Sequence, residues 1–294
     1  MKSQPFKPNI LLLTAALIWG FAFVAQRKGM EHIHPLTFNG IRFLLGAVVL
    51  LPFLTSSKRK KATASWSNKR LGFHGILAGF ALFVAASFQQ LGIVYTTAGK
   101  AGFITSLYIL FVPAFGMITG HRSGRSVWLA ALLATAGLYL LSVHEQIELS
   151  IGDILVLISA LFWAMHLIVL SYIAPLHDAK WIAFIQFLFT GLLSLLLAIG
   201  LESPNLSAIL QAAYPLLYAG IMSAGIGFTL QIAAQGRARA DHAAIILSLE
   251  AVFAAIGGYI ILGEKMSITQ LTGCLLMLIA VVWIQLKPSE VNRT

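Results

Sequence analysis

Long apolar stretches separated by short polar segments run along almost the whole chain. A helix that crosses a membrane needs about 20 mostly apolar residues, and ten stretches meet that requirement. The pattern therefore predicts an all-α membrane protein with ten transmembrane helices, and any site must be built inside the bundle. The predicted spans, numbered 1 to 10 in chain order, cover 9–26, 36–55, 71–93, 98–119, 126–143, 151–173, 181–201, 214–235, 241–262 and 268–286.

Composition supports this prediction and argues against a soluble protein and against a nucleic-acid-binding protein. Hydrophobic residues make up 59% of the 294 and charged residues only 10%, against about 25% charged in a soluble domain. The net charge of +10 does not indicate nucleic-acid binding, because the Lys and Arg lie in short segments beside apolar spans. The single cysteine, Cys274, excludes an intramolecular disulfide and a cysteine-built metal site. No cofactor and no metal are expected.

The distribution of Lys and Arg predicts the orientation. With the N-terminus in the cytoplasm, fifteen loop and tail Lys and Arg fall on the cytoplasmic side, including the polar loop 56–70, and four fall on the other side. Cytoplasmic loops carry an excess of Lys and Arg in membrane proteins. We therefore expect a multi-pass protein with both termini in the cytoplasm.

The chain contains an internal repeat. "ALIW" (16–19) matches "ALFW" (160–163), and "IRFLL" (41–45) matches "IQFLF" (185–189), both at an offset of 144. Gln89 matches Gln231, and "SLYILF" (106–111) matches "SLEAVF" (248–253), both at an offset of 142. These matches predict two halves, 9–143 and 151–286. Because each half has five spans, an odd number, the halves must cross the membrane in opposite senses, an arrangement that suits alternating access.

Four motifs resemble one known family: "ALIWG", "IRFLLG", "TTAGKAGFITSLYILFVP" (96–113) and "SLEAVFAAIGGYIILGE" (248–264). They are similar to the EamA family of the drug/metabolite transporter superfamily, over roughly residues 9–286. The resemblance implies a ten-helix permease of the bacterial inner membrane that moves small metabolites, often outward. Many members carry Pro after the late glutamate, where this chain has Ala251. We therefore expect Glu250 to lie in a straighter helix than the family pattern suggests.

Glu250 is the carboxylate placed deepest within a span. At 1.5 Å per residue it lies on the order of 13 Å inside a helix that begins at Asp241. An ionised carboxylate facing lipid there costs at least ~2.5 kcal/mol, so the side chain is expected to face the bundle interior. Ala243, Ala254 and Gly257 share its helical face, and small residues let another helix approach closely. Glu250 is thus a candidate substrate or proton site; the alternative is a structural carboxyl group hydrogen-bonded across helices.

Arg42 is the basic residue that lies deep in a span, about six residues into span 2. As a functional residue it would pair with a substrate carboxylate or with Glu250. Alternatively it snorkels to the outer interface or bonds the carbonyl groups of a helix end. The repeat places the uncharged Gln186 at the equivalent position.

Further polar and aromatic residues lie within the spans. His166 is a candidate site residue in span 6, with hydrogen-bonded packing as the alternative. The mid-span Trp residues can stack on a planar or apolar substrate, although bulk packing explains them as well. The candidate neutral lining consists of Trp19, Trp163, Gln89, Gln231 and Tyr108.

Together these features predict a secondary transporter that exports small organic metabolites, such as amino acids or related compounds, by alternating access through a central cavity. The expected partners are a small-molecule substrate and the lipid bilayer, with protons as a candidate coupling ion, no nucleic acid, and a monomer as the expected assembly. The chain has no nucleotide-binding loop and no motif of a soluble catalytic site, so the transporter is expected to use no ATP itself and not to be an enzyme. The alternatives are an intramembrane enzyme or a channel-like or receptor module that uses Glu250 and Arg42.

Overall fold

The computed structural model describes residues 6–55, 68–118, 123–142, 150–262 and 266–286. The chain is helical over these ranges, and no strand occurs within them. Nine helical stretches there are long and apolar enough to cross a membrane, and Arg125–Leu141 is a shorter apolar helix. The prediction of an all-α membrane protein with ten helical spans is confirmed. The termini and most of the polar loop 56–70, which carry much of the orientation argument, lie outside the described residues.

Seven spans are single helices and three are interrupted. The single helices are span 1 (Phe6–Gly29), span 2 (Pro35–Thr55), span 3 (Asn68–Tyr95), span 5 (Arg125–Ser142), span 6 (Ile151–Ile173), span 7 (Ala179–Leu201) and span 10 (Ile268–Leu286). Span 4 consists of Ala98–Ser106 and Tyr108–Ile118, and span 9 of Ala240–Leu247 and Glu250–Leu262. Span 8 joins Ala213–Leu217, the π-helical Tyr218–Phe228 and Thr229–Gln235, after a short helix at Leu206–Gln211.

Helices of opposite halves pack extensively against one another. Span 3 lies against span 6, span 2 against span 7, and span 5 against span 10. The contacts also recur at repeat-related places: span 1 packs on spans 8 and 9, as span 6 packs on spans 3 and 4. The core is therefore the interface between the halves, and any site at its centre receives side chains from both.

Spans 2 and 7 are joined at both ends. At one end the Glu202 carboxylate accepts hydrogen bonds from the Leu36 and Thr37 amides at 2.8 and 2.7 Å and from the Thr37 hydroxyl at 2.8 Å. At the other end Lys180 Nζ donates to the Phe53 carbonyl at 3.0 Å. A carboxylate at a helix N-terminus and an ammonium at a C-terminus bond groups that have no partner within the helix. These bonds fix span 2, and Arg42 within it, relative to span 7.

The outside of the bundle is apolar. Large side chains on the spans stand exposed, among them Phe73, Leu196 and Ile199 at 65%, 68% and 70% of their surface. A soluble monomer rarely exposes a continuous surface of this kind, whereas lipid solvates it. Polar side chains are instead buried between the spans, where they need partners or a wet cavity.

Candidate functional site

Spans 4 and 9 are interrupted at repeat-related positions. The α-helical pattern breaks at Leu107 in span 4 and at Ser248–Leu249 in span 9. The Leu107 and Leu249 amides bond three residues back, to the Ile104 and Ile246 carbonyls at 3.1 and 3.2 Å. Our expectation of a straighter helix around Glu250 is wrong, because the break occurs without a proline. Discontinuous helices at matching places in two halves are typical of transporter binding sites.

The interruptions place Tyr108 and Glu250 at the start of the second segments of spans 4 and 9. Small residues fix span 9 against span 1: a methyl group at Gly20 would lie 2.8 Å from both the Glu250 carbonyl oxygen and the Ala254 amide nitrogen. A methyl group at Gly257 would lie 3.1 Å from the Phe21 ring. The predicted close approach of another helix is thus present, and that helix is span 1.

Glu250 faces a central cavity that is lined by both halves. Ten of its lining residues form five repeat-related pairs, and the other five have no repeat-related counterpart in the lining. The pairs are Trp19 with Trp163, Phe23 with Leu167, Gln89 with Gln231, Thr105 with Leu247, and Tyr108 with Glu250. The unmatched lining residues are Ala22, Gln26 and Arg42 from the first half and Ser223 and Phe228 from the second. Seven of the eight candidate site residues therefore meet here.

The cavity is narrow in this conformation. The centre of a water molecule has about 40 Å³ available within it, enough for a few waters. Chambers of about 820 and 330 Å³, measured in the same way, lie toward the two ends of the bundle. Lys100 lines the larger chamber and Arg239 the smaller, and we call these the Lys100 end and the Arg239 end. The constriction at the centre separates the two chambers.

The two charged residues of the cavity are not paired with each other. Arg42 and Glu250 are only 3% and 4% exposed, so Arg42 does not snorkel to an interface. The ion pairs of the described residues lie elsewhere, and Arg42 Nε and Glu250 Oε1 have no hydrogen-bond partner. The Arg42 guanidinium lies 4.7 Å from the Phe43 ring centroid. The Tyr108 hydroxyl lies close to the Glu250 carboxyl group without reaching hydrogen-bond geometry.

A chain of hydrogen bonds crosses the wall between the halves. Trp163 Nε1 donates to Gln89 Oε1 at 2.5 Å, and Gln89 Nε2 donates to Gln26 Oε1 at 3.2 Å. Gln26 Nε2 in turn donates to the Ala22 carbonyl at 3.3 Å. On the other side Trp19 Nε1 donates to the Ser223 carbonyl at 3.2 Å. The tryptophan rings are thus held in place by polar partners rather than by packing alone.

His166 is the candidate residue that does not line the cavity. It is fully buried, and its Nε2 faces Gln186 Oε1 at 3.1 Å. Its ring stands edge-on to Trp163 and Phe228, with centroids 5.9 and 6.1 Å away. This environment matches the hydrogen-bonded packing that we gave as the alternative for His166.

Several cavity residues were not predicted from the sequence. Phe23 pairs with Leu167 and Thr105 with Leu247 at the repeat offsets, but neither member of either pair was a candidate, so the offsets alone could not point to them. Gln26 falls at the predicted end of span 1, which hid its position inside the bundle. Ser223 and Phe228 belong to the π-helical segment, whose glycines give no periodic signal.

Two buried aspartates near span ends were also missed. Asp153 accepts from the Thr96 hydroxyl at 2.6 Å and lies 3.5 Å from Lys100 Nζ. Asp241 accepts from Arg239 Nη2 at 2.7 Å and from the Ser123 hydroxyl at 2.9 Å. Each pairs at one end of the bundle, near the chamber named for its basic partner, and thereby links different spans.

Comparison with known proteins decides the family. A family model described as the EamA-like transporter family matches the chain twice, over 6–143 and 150–286. The chain is a member of the EamA-like transporter family. An uncharacterized transporter of Archaeoglobus fulgidus is 32% identical over 94% of this chain and 85% of its own length. A protein of Salmonella typhimurium named "Probable amino-acid metabolite efflux pump" is 27% identical over 98% of this chain and 97% of its own.

The fold of this EamA-family chain also matches a solved structure. That crystal structure has a TM-score of 0.75 and 18% identity, and the match covers 94% of this chain and 96% of the other. At this identity the likeness concerns the fold alone. The relatives carry transporter names, and the chain's apolar spans embed it in a membrane as a multi-pass protein.

Proposed function

We propose that the chain is a secondary transporter that carries small organic metabolites out of the cell by alternating access through the central cavity. The observation that carries the proposal is the cavity itself, built from repeat-related pairs at the interruptions of spans 4 and 9. Inverted repeats place transporter sites at their interface and rock around them. The moving units are the repeats, proposed as 9–143 and 151–286.

The narrow centre favours a carrier over a channel. A channel needs a continuous aqueous path, whereas here a constriction with room for a few waters separates the two chambers. A metabolite can enter only if the halves shift, which is the movement that alternating access requires. The single conformation seen is closed at its centre.

The proposed substrate class comes from a relative, and the proposed direction from the charge distribution. The efflux-pump relative is named for amino-acid metabolites, and amino acids or related compounds are the class that we propose here. The Lys and Arg distribution supports a cytoplasmic location for both termini and for the Arg239 end. In that orientation an exported substrate enters past Arg239 and leaves past Lys100.

Glu250 has two possible roles in such a cycle. A carboxylate can bind a substrate ammonium, or it can take up a proton while the cavity faces one side and release it on the other. Tyr108 and Ser106 are the polar groups placed beside its carboxyl group, and Arg42 lines the same cavity. An enzyme would need several converging catalytic groups, and His166, a third candidate, lies outside the cavity.

The test is transport by purified protein in proteoliposomes loaded with a mixture of the twenty common L-amino acids. We expect release above that of empty vesicles for the wild type, and about 10-fold or more loss for Glu250→Gln, because Gln keeps the size and loses the charge and the exchangeable proton. Glu31→Gln, which removes a carboxylate from an exposed ion pair with Lys28 away from the cavity, is the matched control and should retain most activity.

The pH profile, measured from about pH 5.5 to 8, separates the two roles of Glu250. If the residue couples protons, Glu250→Gln should retain exchange and lose pH-driven accumulation. If it binds an ammonium, both should fall. Rates and profiles equal to those of the wild type would refute a transport role for Glu250.

A further inference from the structure

Repeat-related positions around the cavity differ most sharply at one place. In the second half His166 Nε2 bonds Gln186 Oε1 at 3.1 Å across spans 6 and 7, and the Phe228 ring packs edge-on against the imidazole. These side chains fill their side of the bundle, and His166 and Gln186 are fully buried. In the second half, the space behind Trp163 is therefore filled by side chains.

The first half carries different residues at the same three positions. Ala22 corresponds to His166, Arg42 to Gln186, and Ala86 to Phe228. The imidazole and the phenyl ring of the second half are thus both replaced by methyl groups. Ala22 and Arg42 line the cavity, whereas His166 and Gln186 do not. In the first half the cavity reaches the position that His166 occupies in the second.

The Arg42 guanidinium at this position is not paired with a carboxylate of the described residues. The residue is only 3% exposed. Its Nε has no hydrogen-bond partner, and no ion pair of the described residues includes it. A buried charge without a partner is costly. Phe43 and Phe38 approach the guanidinium at 4.7 and 5.7 Å from their centroids, and such contacts leave its in-plane N–H donors for an anion. A planar guanidinium pairs best with a carboxylate, through two parallel hydrogen bonds.

We propose that Arg42, beside Ala22, is the anion subsite of the cavity and that the transported metabolite carries a carboxylate which binds there. The inference rests on the proposed function in taking the cavity as the substrate site. It goes further in stating which charged group the substrate must have and which residue recognises it. Among the described residues Glu250 Oε1 has no hydrogen-bond partner, so the same molecule can carry a cationic group there without being required to.

The test uses the purified full-length chain and two families of probes that share a carbon skeleton. One family is L-leucine, 4-methylpentanoate and 3-methylbutylamine, and the other is L-phenylalanine, 3-phenylpropanoate and 2-phenylethylamine. Ligand-induced thermal stabilisation reports binding, and proteoliposome counterflow reports transport. We expect the carboxylate-bearing members of at least one family to stabilise the wild type, and the amine of that family to have no effect.

The decisive variant copies the second half into the first. Ala22→His with Arg42→Gln recreates the His166–Gln186 pair, a combination that this fold already accommodates. We expect it to unfold at a temperature close to that of the wild type and to bind the carboxylate about 30-fold or more weakly. Arg42→Lys keeps the charge without the planar fork and should bind with intermediate affinity. Arg42→Gln alone provides the measurement if the double variant does not fold.

Three outcomes decide the matter. The anion subsite is overturned if no carboxylate stabilises the wild type, or if the amine binds as well as the carboxylate. It is also overturned if the double variant binds the carboxylate like the wild type. Should the double variant not fold, the same result for Arg42→Gln alone overturns it. Carboxylate binding that depends on Arg42, without transport in proteoliposomes, would leave the subsite standing and refute the proposed function instead.

Discussion

The two halves contribute repeat-related residues to the cavity wall, but they differ in the other side chains that each adds. Five repeat-related pairs line it, yet the first half adds the polar Gln26 and Arg42, whereas the second adds the Phe228 ring. The halves also differ behind the lining residues, where in the second half His166, bonded to Gln186, fills the space. In the proposed cycle, related helices in both halves keep the shape that a rocking movement needs, and we infer that the differences between the halves determine what the cavity binds.

The largest effect is expected where the halves differ in how closely helices approach. Gly20 in span 1 corresponds to Ala164 in span 6, so Gly20→Ala would make the halves alike. The new methyl group would lie 2.8 Å from the Glu250 carbonyl oxygen and the Ala254 amide nitrogen. Because these backbone atoms cannot move without their helix, we expect the free energy of unfolding to fall by about 1–3 kcal/mol. We also expect span 9 to be displaced and transport to be impaired.

Gly72→Ala is the matched control for this substitution. A methyl group at Gly72 meets nothing within 4 Å, and Ala is the better helix former by about 1 kcal/mol. Thermal unfolding of both variants in detergent, together with transport at equal protein levels, checks the prediction. If the two variants behave alike, the close approach of spans 1 and 9 is unimportant.

A smaller effect should separate the two tryptophans. Trp163 donates to the buried Gln89 side chain, whereas Trp19 donates to a backbone carbonyl. Trp163→Phe leaves Gln89 Oε1 without its donor and should destabilise the protein by about 1 kcal/mol more than Trp19→Phe. Unfolding temperatures of the two variants test this difference, and equal losses would show that the hydrogen-bond chain adds nothing beyond packing.

The smallest effect concerns a pair of histidines at the Arg239 end. His74 Nδ1 lies 2.9 Å from His177 Nε2, which joins span 3 to the turn before span 7. The corresponding positions at the Lys100 end hold Leu216 and Ile33, which share an apolar cluster. Only one end of the bundle therefore has a titratable contact at this place.

Partial burial, and secondly the neighbouring His74, lowers the pKa of His177 below its ordinary 6.5. The unfolded chain then binds more protons than the folded one near that pH, so the contribution to stability is present above about 6.5 and is lost as pH falls through the lowered pKa. We expect His177→Asn to reduce the fall in unfolding temperature between about pH 7.5 and 5.5. An unchanged pH dependence would contradict a role for this contact.

Much of the architecture could be predicted from local sequence. Hydropathy indicates spans because each must meet lipid along its whole length, and the repeat offsets brought Trp19, Trp163, Gln89 and Gln231 to one place. The interruption before Glu250 could not be predicted, because no Pro or Gly marks it and contacts with span 1 accompany it. His166 shows the same limit: its distance from the cavity depends on helix rotation and on Gln186, neither of which a single sequence reveals.

The most direct test of the account asks whether the central cavity opens to one side at a time. A cysteine at Ser223, which lines the cavity, is introduced with Cys274→Ser and probed from each side of sealed vesicles with a small impermeant thiol reagent. A pair of cysteines that replaces Thr96 and Asp153, whose side chains meet at 2.6 Å, allows the Lys100 end to be cross-linked shut. We predict that cross-linking blocks labelling from the Lys100 end and increases labelling from the Arg239 end. Unchanged labelling from both sides would contradict alternating access.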